Sequence, residues 1–144
     1  MSNPITIGGK RLEHKTALIT GASRGIGFAI AKAYASQGAN LVLTASNEAG
    51  LKKAKAALDG YGVDVSFFPT DISSMDSIEA LFCFSIERHP DLDVLVNNAG
   101  IHIGKPFTDH GMDEFDQLMR THVYSVFTPT QHAIRHMQNL GRGK

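Results

Sequence analysis

The sequence predicts an α/β fold, a doubly wound parallel sheet with helices on both faces, and two features carry that reading. Short apolar runs alternate with segments of helical periodicity along the 144 residues, the pattern left by βαβ crossovers. The first of those runs opens onto TGASRGIG, Thr20 to Gly27, a glycine-rich turn of the kind that joins a strand to a helix. A hydrophobic fraction of 42% and a charged fraction of 19% suit one globular domain spanning residues 1–144.

The elements follow in order. Residues 1–12 form a polar lead, expected to be loose or a short edge segment. TALIT (Thr16 to Thr20) is an apolar run ending at glycine, hence a buried strand. Gly25 to Gln37 is alanine-rich, places Ile26, Ile30 and Ala33 at helical spacing, and stops at Gly38, a suitable helix terminator. Asn40 to Ser46 is the second strand, and Leu51 to Leu58 the second helix, with Lys52, Lys53 and Lys55 on its wet side. Val63 to Asp71 is the third strand, and Ser74 to Arg88 the third helix, with Ile78, Leu81, Phe82 and Ser85 on or beside one face. Asp93 to Gly100 is the fourth strand. Gly104 to Asp109 is a loop, followed by helical segments over Met112 to Arg120 and Tyr124 to Gln138, the second of which Pro129 should bend or interrupt.

Charge and composition exclude several classes. Formal net charge is zero, yet Glu13 is the only acid among residues 1–47 and no acid follows Asp116. A dedicated nucleic-acid binder would show a basic surplus with aromatic platforms. The locally basic N-terminal third suits one anionic small ligand instead. Cys83 is the single cysteine, so no intrachain disulfide forms, and a reducing, cytoplasmic setting is expected. No apolar run approaches the roughly 20 residues that cross a bilayer.

The glycine turn defines what that ligand is. Gly21 takes the positive φ of a sharp strand-to-helix turn, Gly25 removes a side chain where a ligand meets the backbone, and Gly27 lets helix and strand pack closely. Free N–H groups and the positive end of the helix dipole then receive a pyrophosphate. At the end of the second strand, where an adenosine ribose should lie, stand Thr44, Ala45, Ser46 and Asn47. A carboxylate there would bind the two ribose hydroxyls of NAD and repel an added phosphate, whereas Arg24, Thr44 and Ser46 offer a cation and donors to a 2′-phosphate. The expected cofactor is therefore NADP. NAD is the alternative, through Glu48, which a small backbone shift would make the ribose acceptor.

TGASRGIG, together with NNAG at Asn97 to Gly100, resembles the glycine motif and fourth-strand motif of the classical short-chain dehydrogenases/reductases. LTASNEAG (Leu43 to Gly50) looks like the branch of bacterial 3-oxoacyl-[acyl-carrier-protein] reductases. The resemblance runs from about Leu12 to the last residue. It implies a Rossmann-type sheet of strand order 3-2-1-4 and NADP-dependent reduction of a carbonyl to an alcohol. It also implies that Ser23, Arg24 and Ile26 line the phosphates, that Asp71 and Ile72 meet the adenine, and that Asn98, Ala99 and Gly100 border the riboses, with Asn97 tying neighbouring strands together. The bottom-up reading of Asp71 is a carboxylate near a helix N-terminus, beside Ser73, Ser74 and Asp76, and the two readings are compatible.

The chemistry departs from that family. Its Tyr-x-x-x-Lys pair is not present: Tyr34 is followed four residues on by Gly38, Tyr61 by Val65 and Tyr124 by Thr128. The family's fifth strand, which precedes its serine, should begin about where Lys144 stands, so the chain is expected to hold only the cofactor-binding half. It would then be the N-terminal part of a longer reductase, a catalytically silent NADP-binding protein, or a fragment that docks on a full-length relative. His122 occupies the position of the family's catalytic Asn, and its plainest reading is an accommodated substitution.

Other candidates are weaker. His132 and His136 are four apart, the spacing of a metal pair on a helix, but no acid follows to complete a site, and no metal is expected. His89, His102 and His110 fall in loops or at element ends, where exposure is expected. Cys83, within LFCFS, is expected to be buried as a small hydrophobe. Phe115, Leu118 and Met119, then Val126, Phe127 and Ile134, form apolar stripes that would either pack on the sheet or build a homo-oligomer interface of the kind the family forms.

Overall fold

The computed structural model describes residues 9–144, so most of the expected polar lead over residues 1–12 lies outside the described residues. The part that is described is anchored: Leu12 packs on the core, and its N–H donates to the Gln37 carbonyl at 2.9 Å.

Four parallel strands, β1 (Thr16–Thr20), β2 (Asn40–Ala45), β3 (Val65–Pro69) and β4 (Leu92–Val96), lie in the order β3-β2-β1-β4. Five helices connect and follow them: α1 (Gly25–Ser36), α2 (Glu48–Leu58), α3 (Met75–Arg88), α4 (Met112–Met119) and α5 (Ser125–Leu140). Alternation along the central strands sorts the core into two layers. Ala17 and Ile19 of β1, with Leu41 and Leu43 of β2, face Ala31 and Ala35 of α1 and Leu51, Ala54 and Leu58 of α2. Leu18 and Val42 face the other way, onto Ile78, Leu81 and Phe82 of α3 and Ala133 and Met137 of α5. With both sheet faces covered, every residue of β1 is buried, which is why TALIT reads as a continuous apolar run.

Several expectations shift. β3 and β4 are shorter than their apolar runs, because the residues beyond Pro69 and Val96 leave the ladder at the sheet's carboxyl edge. Helix α2 starts earlier, at Glu48, because Asn47 caps it by accepting the Gly50 N–H at 2.9 Å. In α1 the inward face is Gly27, Ala31 and Ala35, while Ile26 is 75% exposed: small residues let this helix sit close to the sheet. Cys83 is exposed, on the opposite side of α3 from its buried Ile78, Leu81, Phe82 and Ser85. His89 is buried rather than exposed, because the chain turns at the end of α3 to enter β4.

Pro129 lies within a continuous α5. The irregularity stands just upstream, in a π turn over Arg120–Tyr124 where the Ser125 N–H reaches back five residues to the Arg120 carbonyl. α5 buries Ser125, Thr128, Pro129, Ala133 and Met137. The stripe of Val126, Phe127 and Ile134 therefore points away from the sheet, and Phe127 is 62% exposed.

The start of β4 is irregular. Thr16 pairs with Leu92 and Ala17 with Val94, which leaves Asp93 as a bulge. Its buried carboxylate accepts the Thr16 N–H at 3.1 Å, the Arg142 Nε–H at 2.6 Å and the Lys15 ammonium at 3.3 Å. On the far side of β4, the Lys144 N–H donates to the Asp93 carbonyl at 2.8 Å and the Leu95 N–H to the Lys144 carbonyl at 2.9 Å. That pair of bonds, from one residue to two alternate residues of its neighbour, is the parallel ladder pattern.

Candidate functional site

The carboxyl ends of the strands, with the turns that follow them, enclose a crevice of about 750 Å³. Crossovers leave such a crevice on either side of the strand where the winding direction reverses, here between β1 and β4.

Gly21 (φ +66°) turns the chain out of β1, and a Cβ there would stand 2.9 Å from the Ala99 Cα. Gly25 also has positive φ (+58°), but no atom lies within 4 Å of its would-be Cβ. That missing side chain faces open crevice. A Cβ on Gly27 would overlap the Gly21 carbonyl and the Asn98 side chain, so Gly27 lets the first helical turn pack on its own entry loop and on the end of β4.

Helix α1 is left uncapped: Arg24 at its N-cap makes no side-chain cap bond, and the first turn carries no acid. By contrast Asn47 caps α2, Ser74 caps α3, and Glu114 accepts the Gly111 N–H at the start of α4. The first-turn N–H groups of α1 therefore point into the crevice with the positive end of the helix dipole behind them.

The structure brings Gly21, Ser23, Arg24, Gly25, Ile26 and Gly27 to one wall of this crevice, Ser46 to its β2 rim, Asp71 and Ile72 to the β3 end, and Asn98, Ala99 and Gly100 to the β4 end. The exposed Ile26 is thus explained, since it stands at the crevice mouth. Thr44 is the exception. It is 1% exposed, its hydroxyl donates to the Phe68 carbonyl at 2.7 Å and lies 2.7 Å from the Thr70 hydroxyl. As an inward residue of β2 it serves the sheet, and only Ser46 remains at that rim.

Two polar groups hold the loops after β1 and β4 together. The Thr20 hydroxyl receives the Asn98 and Ala99 N–H groups, both at 3.0 Å. The Asn98 side-chain amide donates to the Thr20 carbonyl at 3.0 Å and the Gly21 carbonyl at 3.3 Å. Asn98 is therefore what ties β4 to β1, while Asn97, expected in that role, donates to the Thr130 hydroxyl of α5 at 3.0 Å. Asp71 accepts the Ser73 N–H at 2.9 Å and the Ser73 hydroxyl at 2.6 Å on one oxygen. Glu48 pairs with Lys52 at 2.8 Å on the open face of α2 and does not line the crevice.

Sequence reasoning missed Thr70, Ser73, Ile101, Gln117 and Thr121, which also line it. The last two arrive from α4 and the π turn, whose approach to the strand ends no local pattern encodes. Among the described residues no group of histidines, cysteines and acids is placed to hold a metal; His132 instead stacks on Phe82, with ring centroids 5.1 Å apart.

Fold and crevice together define a Rossmann-type nucleotide-binding architecture. The family model described as short chain dehydrogenase matches residues 15–144, and the chain belongs to that oxidoreductase family. Among curated relatives it is 38% identical over 129 residues to gluconate 5-dehydrogenase of Gluconobacter oxydans, covering 89% of this chain and 50% of that one. It is 37% identical over 127 residues to 3-oxoacyl-[acyl-carrier-protein] reductase of Chlamydia trachomatis, covering 88% and 51%. A solved metagenomic short-chain oxidoreductase in complex with NADP superposes with a TM-score of 0.86 at 33% identity, covering 92% of this chain and 60% of that one. An NAD+-bound xylitol dehydrogenase gives 0.89 at 27% identity, covering 93% and 52%. The chain spans about half the length of the curated relatives it matches.

Proposed function

We propose that this chain supplies the cofactor-holding half of an NADP(H)-dependent oxidoreductase that interconverts a carbonyl and an alcohol. The observation that carries the reading is the uncapped start of α1, which opens onto the crevice beside Gly25 with Arg24 alongside. Backbone N–H groups there receive the pyrophosphate without a competing carboxylate. Among the described residues that line the crevice Asp71 is the one acid, and it lies at the β3 end, engaged with Ser73. The β2 rim offers Ser46 and no carboxylate, so Arg24 and Ser46 are free to take a ribose 2′-phosphate.

The nicotinamide supplies hydride when bound. The residues of this chain would orient it: the α1 amides would hold its phosphates, and the Ala99–Gly100 backbone would bound the space for its ribose. None of the tyrosines has a lysine four residues on, so none of them is assigned as the proton donor. The exposed stripe of Val123, Val126, Phe127 and Ile134 on the π turn and α5 favours assembly with a second copy or a full-length relative.

A fluorescence titration with NADPH tests this. Saturable binding is expected, without oxidation of NADPH by added ketones. Arg24→Ala should weaken NADPH about tenfold, the worth of one charge-assisted contact, and leave NADH affinity nearly unchanged. Absence of saturable binding by the unaltered chain defeats the proposal.

A further inference from the structure

The crevice wall beyond Ala99 has little backbone structure of its own. Residues 97–104 are in neither helix nor strand, and the Thr20 hydroxyl secures them only as far as Ala99. The next anchor along the chain is His122. Its Nε2 lies 2.7 Å from the Ile101 carbonyl oxygen and 3.3 Å from the Ile101 nitrogen. Its ring occupies the space over Gly100, where a Cβ would come within 2.9 Å of the His122 Cε1. The π turn that presents His122 also delivers Thr121 to the crevice, so one irregular turn touches the wall twice.

A single imidazole nitrogen either donates or accepts at one time. Of the two contacts the one to the carbonyl is short and the one to the amide is at the outer limit for a hydrogen bond. We propose that His122 is the positioning residue of this wall: its Nε2–H donates to the Ile101 carbonyl and its ring seats against Gly100, which holds the Gly100–Ile101 backbone at the edge of the cofactor space. The inference rests on the reading that the crevice takes a dinucleotide only for its functional consequence. The latch itself is a property of the free chain. Gly100 is part of the same fit, since any side chain there displaces the ring.

The free 144-residue chain provides the test. Long-range proton–nitrogen NMR spectra should show His122 fixed as the Nε2–H tautomer. In His122→Phe, which keeps a ring but loses the donor, amide exchange over residues 99–104 should rise about five- to tenfold, and the NADPH dissociation constant should rise with it. His122→Asn should restore both, because a carboxamide donates to the Ile101 carbonyl and accepts from its N–H simultaneously. A His122 ring that averages between tautomers or holds the opposite one, or exchange over residues 99–104 that is unchanged in His122→Phe, overturns the latch. If the latch signatures appear and the unaltered chain binds no NADPH, the positioning role stands and the cofactor reading falls. If NADPH binds and the signatures are missing, the reverse holds.

Discussion

Gly25 and Gly27 sit two residues apart in one turn, and their surroundings separate what each does. The would-be Cβ of Gly25 meets nothing, whereas that of Gly27 meets the Gly21 carbonyl. Gly27→Ala should therefore destabilise the chain by about 1–3 kcal/mol through overpacking, read as a lowered urea midpoint. Gly25→Ala, at φ +58°, should cost about 1 kcal/mol in stability and act mainly on NADPH affinity, with a loss of tenfold or more. Equal stability losses, or unaltered affinity in Gly25→Ala, would contradict this division. The sequence shows three glycines at fixed spacing and suggests the roles of each. It does not show that Gly27 packs against Asn98, seventy-one positions away in the chain. The same holds for the two strand-end threonines: Thr20 receives the NNAG backbone and Thr44 turns inward, a difference set by which neighbour each strand has.

At the scale of elements, the amino ends of the strands carry the acid sensitivity. Burial of His89, the largest influence on it, pulls its pKa below 6.5, against the opposing pull of Asp64. Its stabilising neutral form is retained above that value and the contribution is lost as pH falls through the lowered pKa. For Asp93, burial alone would raise the pKa, but hydrogen bonds from Arg142, the Thr16 N–H and Lys15 outweigh it and hold the carboxyl below 3.8. Its contribution is present above 3.8 and disappears as pH drops through the depressed value. Unfolding midpoints in urea should thus fall first below about pH 6.5 and again in the more acidic range, with His89→Gln flattening the first decline and Asp93→Asn the second. Asp93→Ala should cost about 2 kcal/mol at neutral pH, since it removes a charged acceptor from the Thr16 N–H and from Arg142. A stability profile that is flat between pH 7 and 5 would contradict the His89 assignment. Neither feature was legible beforehand. His89 reads as a loop residue before Pro90, and the bulge at Asp93 arises only when β4 is aligned with β1.

Over the whole molecule, the two faces of the sheet differ in what remains outside. The α1–α2 side closes over its core, while α4, the π turn and α5 expose Phe115, Val123, Val126, Phe127 and Ile134. Apolar patches of this kind mark interaction surfaces. Among the described residues, Lys144 alone bonds to the outer side of β4, and strand edges invite pairing. Sedimentation velocity at micromolar concentration should show species larger than a monomer, and Phe127→Glu should shift the distribution toward the monomer. A sharp monomer for the unaltered chain at every concentration would contradict that expectation.

Local chemistry along the chain was sufficient for the parallel α/β class, the strand order once the motif resemblance was added, the glycine turn and most of the crevice's residues. These follow from periodicities and from backbone conformations that only certain residues adopt. Tertiary structure alone decided that Thr44 serves the sheet, that Asn98 rather than Asn97 joins the strands, that His89 is buried and Cys83 is not, and that His122 grips Ile101. Each of those outcomes depends on which distant segment arrives beside a side chain. That is settled by packing two helical layers on one twisted sheet, and not by any spacing within a single element.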